Sequence, residues 1–114
     1  MTATMLQAEL WMSFVSMLRS YAAAASLHAG EVAVRSDEND VAVEAAGAEL
    51  AMRFDAETGV VSWTKRGAAG PAAAGRFEIL ADGVVLVNGT RRDLDHAAID
   101  LVASVTEGTK GGRP

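Results

Sequence analysis

The chain contains no cysteine, which excludes a disulfide framework, a thiolate zinc site, a cysteine-held iron–sulfur cluster and a cysteine nucleophile. Aromatic residues make up only 5% and prolines number two, so any core must be built mainly from aliphatic side chains. Positive charge is also short: 10 Lys and Arg stand against 15 Asp and Glu, a net charge of −5 with a pI near 4.9. That balance repels phosphate backbones and anionic lipid, so neither nucleic acid nor a membrane is an expected partner. Long apolar runs are missing too. The richest stretch, residues 5–27, is broken by Gln7, Glu9, Arg19 and four serines, and no basic segment precedes it, so neither a spanning helix nor a signal peptide is expected.

What remains is a chain of 114 residues with 50% hydrophobic content, of which 23 residues are alanine. Leu, Ile, Val and Phe account for 26 residues, above the roughly 20% below which chains tend to stay disordered. One small-residue-rich domain is expected over residues 1–106. The segment 107–114, with three glycines and no large apolar group, is expected to be a disordered tail. Arginine outnumbers lysine eight to two, a bias that suggests a high-GC bacterial genome. The lack of cysteine fits a reducing cytoplasm.

Apolar residues recur at three and four positions in Leu6, Leu10, Phe14, Met17, Leu18 and Tyr21. This period predicts a helix over about residues 3–28, ended by Gly30 as a left-handed cap, with His28 at its negative end. Its outward side carries Ser, Ala, Met5 and Met12, with only Glu9 and Arg19 charged. The period then changes to two: Val32 and Val34; Val41, Val43 and Ala45; Leu50, Met52 and Phe54; Val61 and Trp63; Phe77 and Ile79. Such alternation predicts half-buried strands. Val84 to Val87 is apolar on both faces. Polar turns separate the strands at Asp37–Asp40, Gly47, Glu57–Gly59 and Asp82-Gly83, the last read as a type I′ hairpin. Residues 67–75, GAAGPAAAG, lack any pattern and are expected to form a mobile surface loop. A last helix is expected to open at Asn88-Gly89-Thr90, with Thr90 as cap and Asp93 in its first turn. The fold expected is an α+β two-layer sandwich: N-terminal helix, antiparallel meander sheet of five or six strands, C-terminal helix.

This order resembles the frataxin fold, including a tryptophan on the fourth strand, here Trp63, and a turn ahead of the closing helix. Frataxin-like proteins hold iron on an acidic ridge of the first helix and first strand. The corresponding helix here offers Glu9 alone, so the resemblance implies a fold and not an iron site.

Motifs that carry chemistry are sparse. Asp93, His96 and Asp100 follow helical spacing, which would suit a divalent metal, but they lie opposite the buried stripe and are expected to be a solvated face. No metal or other cofactor is expected. Neither histidine stands in a nucleophile motif. Lys65, Arg66 and Arg76 flank the 67–75 segment near Trp63, and form the candidate ligand- or partner-binding cluster, suited to an acidic peptide or anionic ligand. Trp63 itself is in phase with Val61 and is expected in the core. Together these features point to a non-catalytic interaction or accessory module, a homo-oligomer joined through the weakly charged helix or the apolar final hairpin. The competing readings are a ligand-binding or enzymatic domain with a pocket between the sheet and the 67–75 loop, or, on the fold resemblance alone, a frataxin-like metal-binding protein.

Overall fold

A computed structural model of the chain describes residues 2–45, 47–67 and 70–110. Helix α1 (Ala3–Ala29) is capped by Thr2, whose hydroxyl accepts the Met5 amide at 3.2 Å, and the chain leaves it at Gly30 with φ 82° and an extended ψ of −175°, in place of the left-handed cap. The strands β1 (Val32–Asp37), β2 (Asp40–Ala45), β3 (Ala48–Phe54), β4 (Val60–Gly67), β5 (Gly70–Ile79), β6 (Val84–Val87) and β7 (Thr90–Asp93) precede α2 (Leu94–Lys110). They form one antiparallel sheet in the order β1-β2-β3-β4-β5-β6-β7. The α+β sandwich stands, with seven strands where five or six were expected. Residues 111–114, the rest of the expected tail, lie outside the described residues, as do the side chains of residues 28 and 29, and with them the placing of the His28 imidazole.

The extra strand is β7. Residues 90–93 were expected to begin the last helix, but Asn88 and Gly89 both adopt positive φ, 51° and 81°, the pattern of a type I′ turn, which matches the twist of two flanking strands. Val87 therefore pairs with Thr90 and Val84 with Asp93, and the helix starts only at Leu94. The Asp82-Gly83 turn, by contrast, is a four-residue loop from Leu80 to Gly83, closed by Leu80 N–H to Val84 C=O at 2.8 Å.

The expected 67–75 loop is also corrected. Gly67 ends β4, and Gly70–Ile79 is the longest strand of the sheet, paired with β4 through Thr64↔Ala74 and Lys65↔Ala73. Alanine and glycine give no contrast between faces, so strand alternation leaves no trace in such a sequence. Residues 68 and 69 lie outside the described residues.

Both helices cover one face of the sheet. Trp11, Phe14, Leu18 and Ala22 of α1, at spacings of three and four, meet Leu94, Ala98, Val102 and Val105 of α2 over Val43, Leu50, Phe54, Val61, Ile79 and Val85. Trp11 stacks on Phe54 with centroids 5.2 Å apart, and Phe14 meets Phe77 edge-on at 5.7 Å. The Tyr21 hydroxyl donates to the Asp95 carboxylate across the two helices, and this bond raises the Tyr21 pKa.

Helix α1 also runs along the first strand and satisfies its outer edge. Ser26 Oγ accepts the Val32 amide at 3.0 Å, Arg19 donates to the Val34 carbonyl at 3.2 Å and to Ser36 Oγ, and Trp11 Nε1 donates to the Glu38 carbonyl at 3.3 Å. An edge strand with free amides and carbonyls is a template for unwanted pairing. Here side chains of one helix occupy it. Among the described residues no helix is long and apolar enough to cross a membrane.

Candidate interaction surface

Register places the candidate cluster on two different faces. Lys65 pairs with the buried Leu50, and so projects to the helix side, whereas Arg66 pairs with Glu49 and Arg76 with Ser62 on the open side. Adjacent strand residues must diverge in this way. Arg66 and the position opposite Arg76 are four residues apart along β4, about 13 Å at 3.3 Å per residue. The three cations do not converge on one ligand. Arg66 is moreover engaged, its guanidinium bonding Glu49 at 2.5 Å.

Trp63, expected in the core, is half-buried at its margin. Its indole lies on its cross-strand neighbour Gly75: a Cβ built there would come within 2.6 Å of Cζ2 and 2.8 Å of Cε2. Glycine is the residue that lets this ring rest on the sheet.

The open side of the sheet is organised in rows fixed by the pairing. Arg35, Ala42, Ala51, Thr64 and Ala74 lie side by side across β1 to β5. A second row holds Asp40, Arg53, Ser62 and Arg76, and a third Ala33, Glu44, Glu49 and Arg66. Small side chains thus form a flat strip bounded by ion pairs: Arg53–Asp40 at 2.9 Å, Arg35–Glu44 at 2.8 Å and Arg66–Glu49. Above the strip is a shallow concavity of about 490 Å³, lined among others by Arg35, Ala42, Ala51, Arg53, Ser62 and Thr64. The guanidinium groups of Arg66 and Arg53 hold the Glu49 and Asp40 carboxyls below their ordinary pKa values, against a smaller opposing effect of burial. Asp82 is lowered first by the Val84 amide and then by Arg91.

Asp93, His96 and Asp100 are all exposed. The His96 ring lies 3.3 Å from Asp93, and Asp100 is taken by Arg92. Among the described residues no group of three His, Asp or Glu is placed to hold a metal ion.

The outward side of α1 differs from these charged surfaces. It exposes Met5 at 53%, Met12 at 70% and Leu27 at 81%, three of the four large apolar side chains exposed among the described residues. At 100° per residue these three fall within about 60° of one another on the helix. Serines and alanines fill the space between, with Glu9 and Arg19 the only charges among the exposed positions of α1, and Arg19 is committed to β1. Leu27 was missed by sequence reasoning, although its phase with Met5 and Met12 could have found it.

No protein-family model matches the chain, and no curated protein or solved structure matches it significantly.

Proposed function

We propose that this protein is a non-catalytic interaction module that associates with copies of itself through the outward side of α1. The observation that carries this reading is the alignment of Met5, Met12 and Leu27 along one side of a helix that has two exposed charges over about 40 Å of length. Solvent faces of helices normally carry more charge, and small or soft side chains allow close and adaptable contact between helices. A second copy is the occupant proposed, because the simplest symmetric assembly joins like surfaces about a two-fold axis. The reading places the protein in the cytoplasm of a bacterium, which the absence of cysteine and the arginine-rich, lysine-poor composition support.

Light scattering coupled to size exclusion tests it. Wild-type protein gains mean mass with concentration, and the double variant Met12→Glu/Leu27→Glu associates more weakly at unchanged helical content, since both side chains face solvent. A wild-type protein that stays monomeric from about micromolar to about millimolar, the range in which weak interfaces assemble, overturns the proposal.

A further inference from the structure

We propose that β5 carries a second joining surface, an open strand edge over Ala72–Arg76 that pairs antiparallel with the same edge of another copy. This rests on the reading of the protein as self-associating, but it uses a different part of the molecule from α1.

The phase of the β4–β5 ladder is fixed by the Ile79 amide, which donates to the Gly59 carbonyl at 2.8 Å. In an antiparallel ladder, alternate residues turn their amide and carbonyl to the same neighbour. Ile79, Phe77, Gly75 and Ala73 therefore face β4, while Glu78, Arg76, Ala74 and Ala72 face away. On that far side β6 pairs only with Glu78 and Ile79. Among the described residues nothing meets the outward amides and carbonyls of Ala74 and Arg76, nor those of Ala72 beside the register shift. Ala72, Ala73, Ala74 and Arg76 are all exposed.

The other edges of the sheet are guarded. The β1 edge is occupied by Ser26 and Arg19, and β7 is four residues long with Arg91 and Arg92 on it, a length and charge that discourage pairing. The β5 edge carries Pro71 and a register shift at its start, but from Ala72 to Gly75 it is neither covered nor charged among the described residues.

A second copy is the occupant the segment fits. Ala72 to Gly75 present only methyl groups and hydrogens, so a foreign strand would find main-chain bonds but no pocket to select its side chains. Two β5 strands related by a two-fold axis beside Ala74 set Ala74 opposite Ala74 and Ala72 of each copy opposite Arg76 of the other, all four positions turning their amides and carbonyls outward. Arg76 does not face its own copy in this register, so no like charges are opposed. The small-residue strip of Ala42, Ala51, Thr64 and Ala74 then continues without a step onto the neighbouring sheet. A pair of this length buries less than the roughly 1,200 Å² of a standard interface, so the contact is weak and concentration-dependent.

The test uses Ala74→Pro, which deletes the outward amide of Ala74 and leaves the β4 ladder intact, because proline is tolerated where a strand amide faces solvent. It is made in wild-type protein and in the Met12→Glu/Leu27→Glu variant. Expected in the latter background is residual concentration-dependent mass, removed by Ala74→Pro at unchanged circular dichroism. Amide exchange of Ala74 and Arg76 in this same background slows by about tenfold from dilute to concentrated solution, while that of Ala73 and Gly75 does not change with concentration. Association that persists equally with Ala74→Pro, or Ala74 and Arg76 amides whose exchange ignores concentration, overturns the edge pairing. Wild-type association that resists Met12→Glu/Leu27→Glu and is lost with Ala74→Pro instead overturns the α1 contact and leaves the edge as the joining surface.

Discussion

Gly59 is the position where a single methyl group should cost most relative to its size. Its φ is +78°, and a Cβ would lie 2.3 Å from Gln7 Nε2, 2.9 Å from Gln7 Cδ and 2.9 Å from the Ile79 carbonyl oxygen. Two costs follow from Gly59→Ala. Holding a side chain in the left-handed region costs about 1 to 2 kcal/mol. Displacing Gln7 breaks its 2.8 Å hydrogen bond to the Ile79 carbonyl, worth about 1 kcal/mol net. The sum is about 2 to 3 kcal/mol, or a fall in Tm of roughly 10 °C for a domain of this size. A double-mutant cycle separates the parts. In a Gln7→Ala background the flexible obstacle and its bond are already gone, so Gly59→Ala should cost only the backbone share and the close approach to the Ile79 carbonyl oxygen, with a coupling of about 1 kcal/mol. Urea denaturation of the four proteins measures it. A Gly59→Ala protein within about 0.5 kcal/mol of wild type, or equal costs in both backgrounds, refutes the placing of Gln7 over this turn.

Gly75→Ala should expel the Trp63 indole from the sheet, giving a red-shifted and more readily quenched tryptophan emission with an unchanged far-ultraviolet spectrum. Stability changes by less than about 1 kcal/mol, because the lost ring contact is offset by the better strand propensity of alanine. An unaltered emission spectrum would contradict the indole-on-glycine packing. The depressed carboxyls of Glu49 and Asp40 predict an acid dependence: their ion pairs contribute fully above the ordinary values of 4.5 and 3.8, and the contribution is lost as pH falls through the lowered folded-state values. Glu49→Gln should thus lower the urea midpoint at pH 7, and the difference from wild type should shrink as pH falls below 4.5 through the lowered folded-state value. A difference that does not change with pH would remove charge from the explanation.

The alternating strands from Val41 to Val61 were legible because each places a large apolar group on every second position above a helix. The alanine and glycine arm of β5 was not, since its two faces are chemically alike. Strand β7 buries none of its side chains, so hydropathy gives no sign of it. The sign was the Asn88-Gly89 pair, a hairpin signal that competed with the reading of Thr90 as a helix cap. That Lys65 and Arg66 part company follows from strand alternation alone. The Arg66–Glu49 and Arg53–Asp40 bonds needed the register, which neighbouring charges in sequence do not reveal. The α1 face was visible at Met5 and Met12, but the commitment of Arg19 to β1 depends on the helix lying along that edge.

The meander order of the sheet has a kinetic corollary. Every strand pairs with its immediate predecessor in the chain, so the ladder can assemble as a succession of local hairpins, each closing a short segment before the next begins. Contact between the terminal helices spans almost the whole sequence and has the largest closure entropy to overcome. Docking of α2 should therefore be the late event in folding, and substitutions at Val102 or Val105 should accelerate unfolding far more than they retard folding.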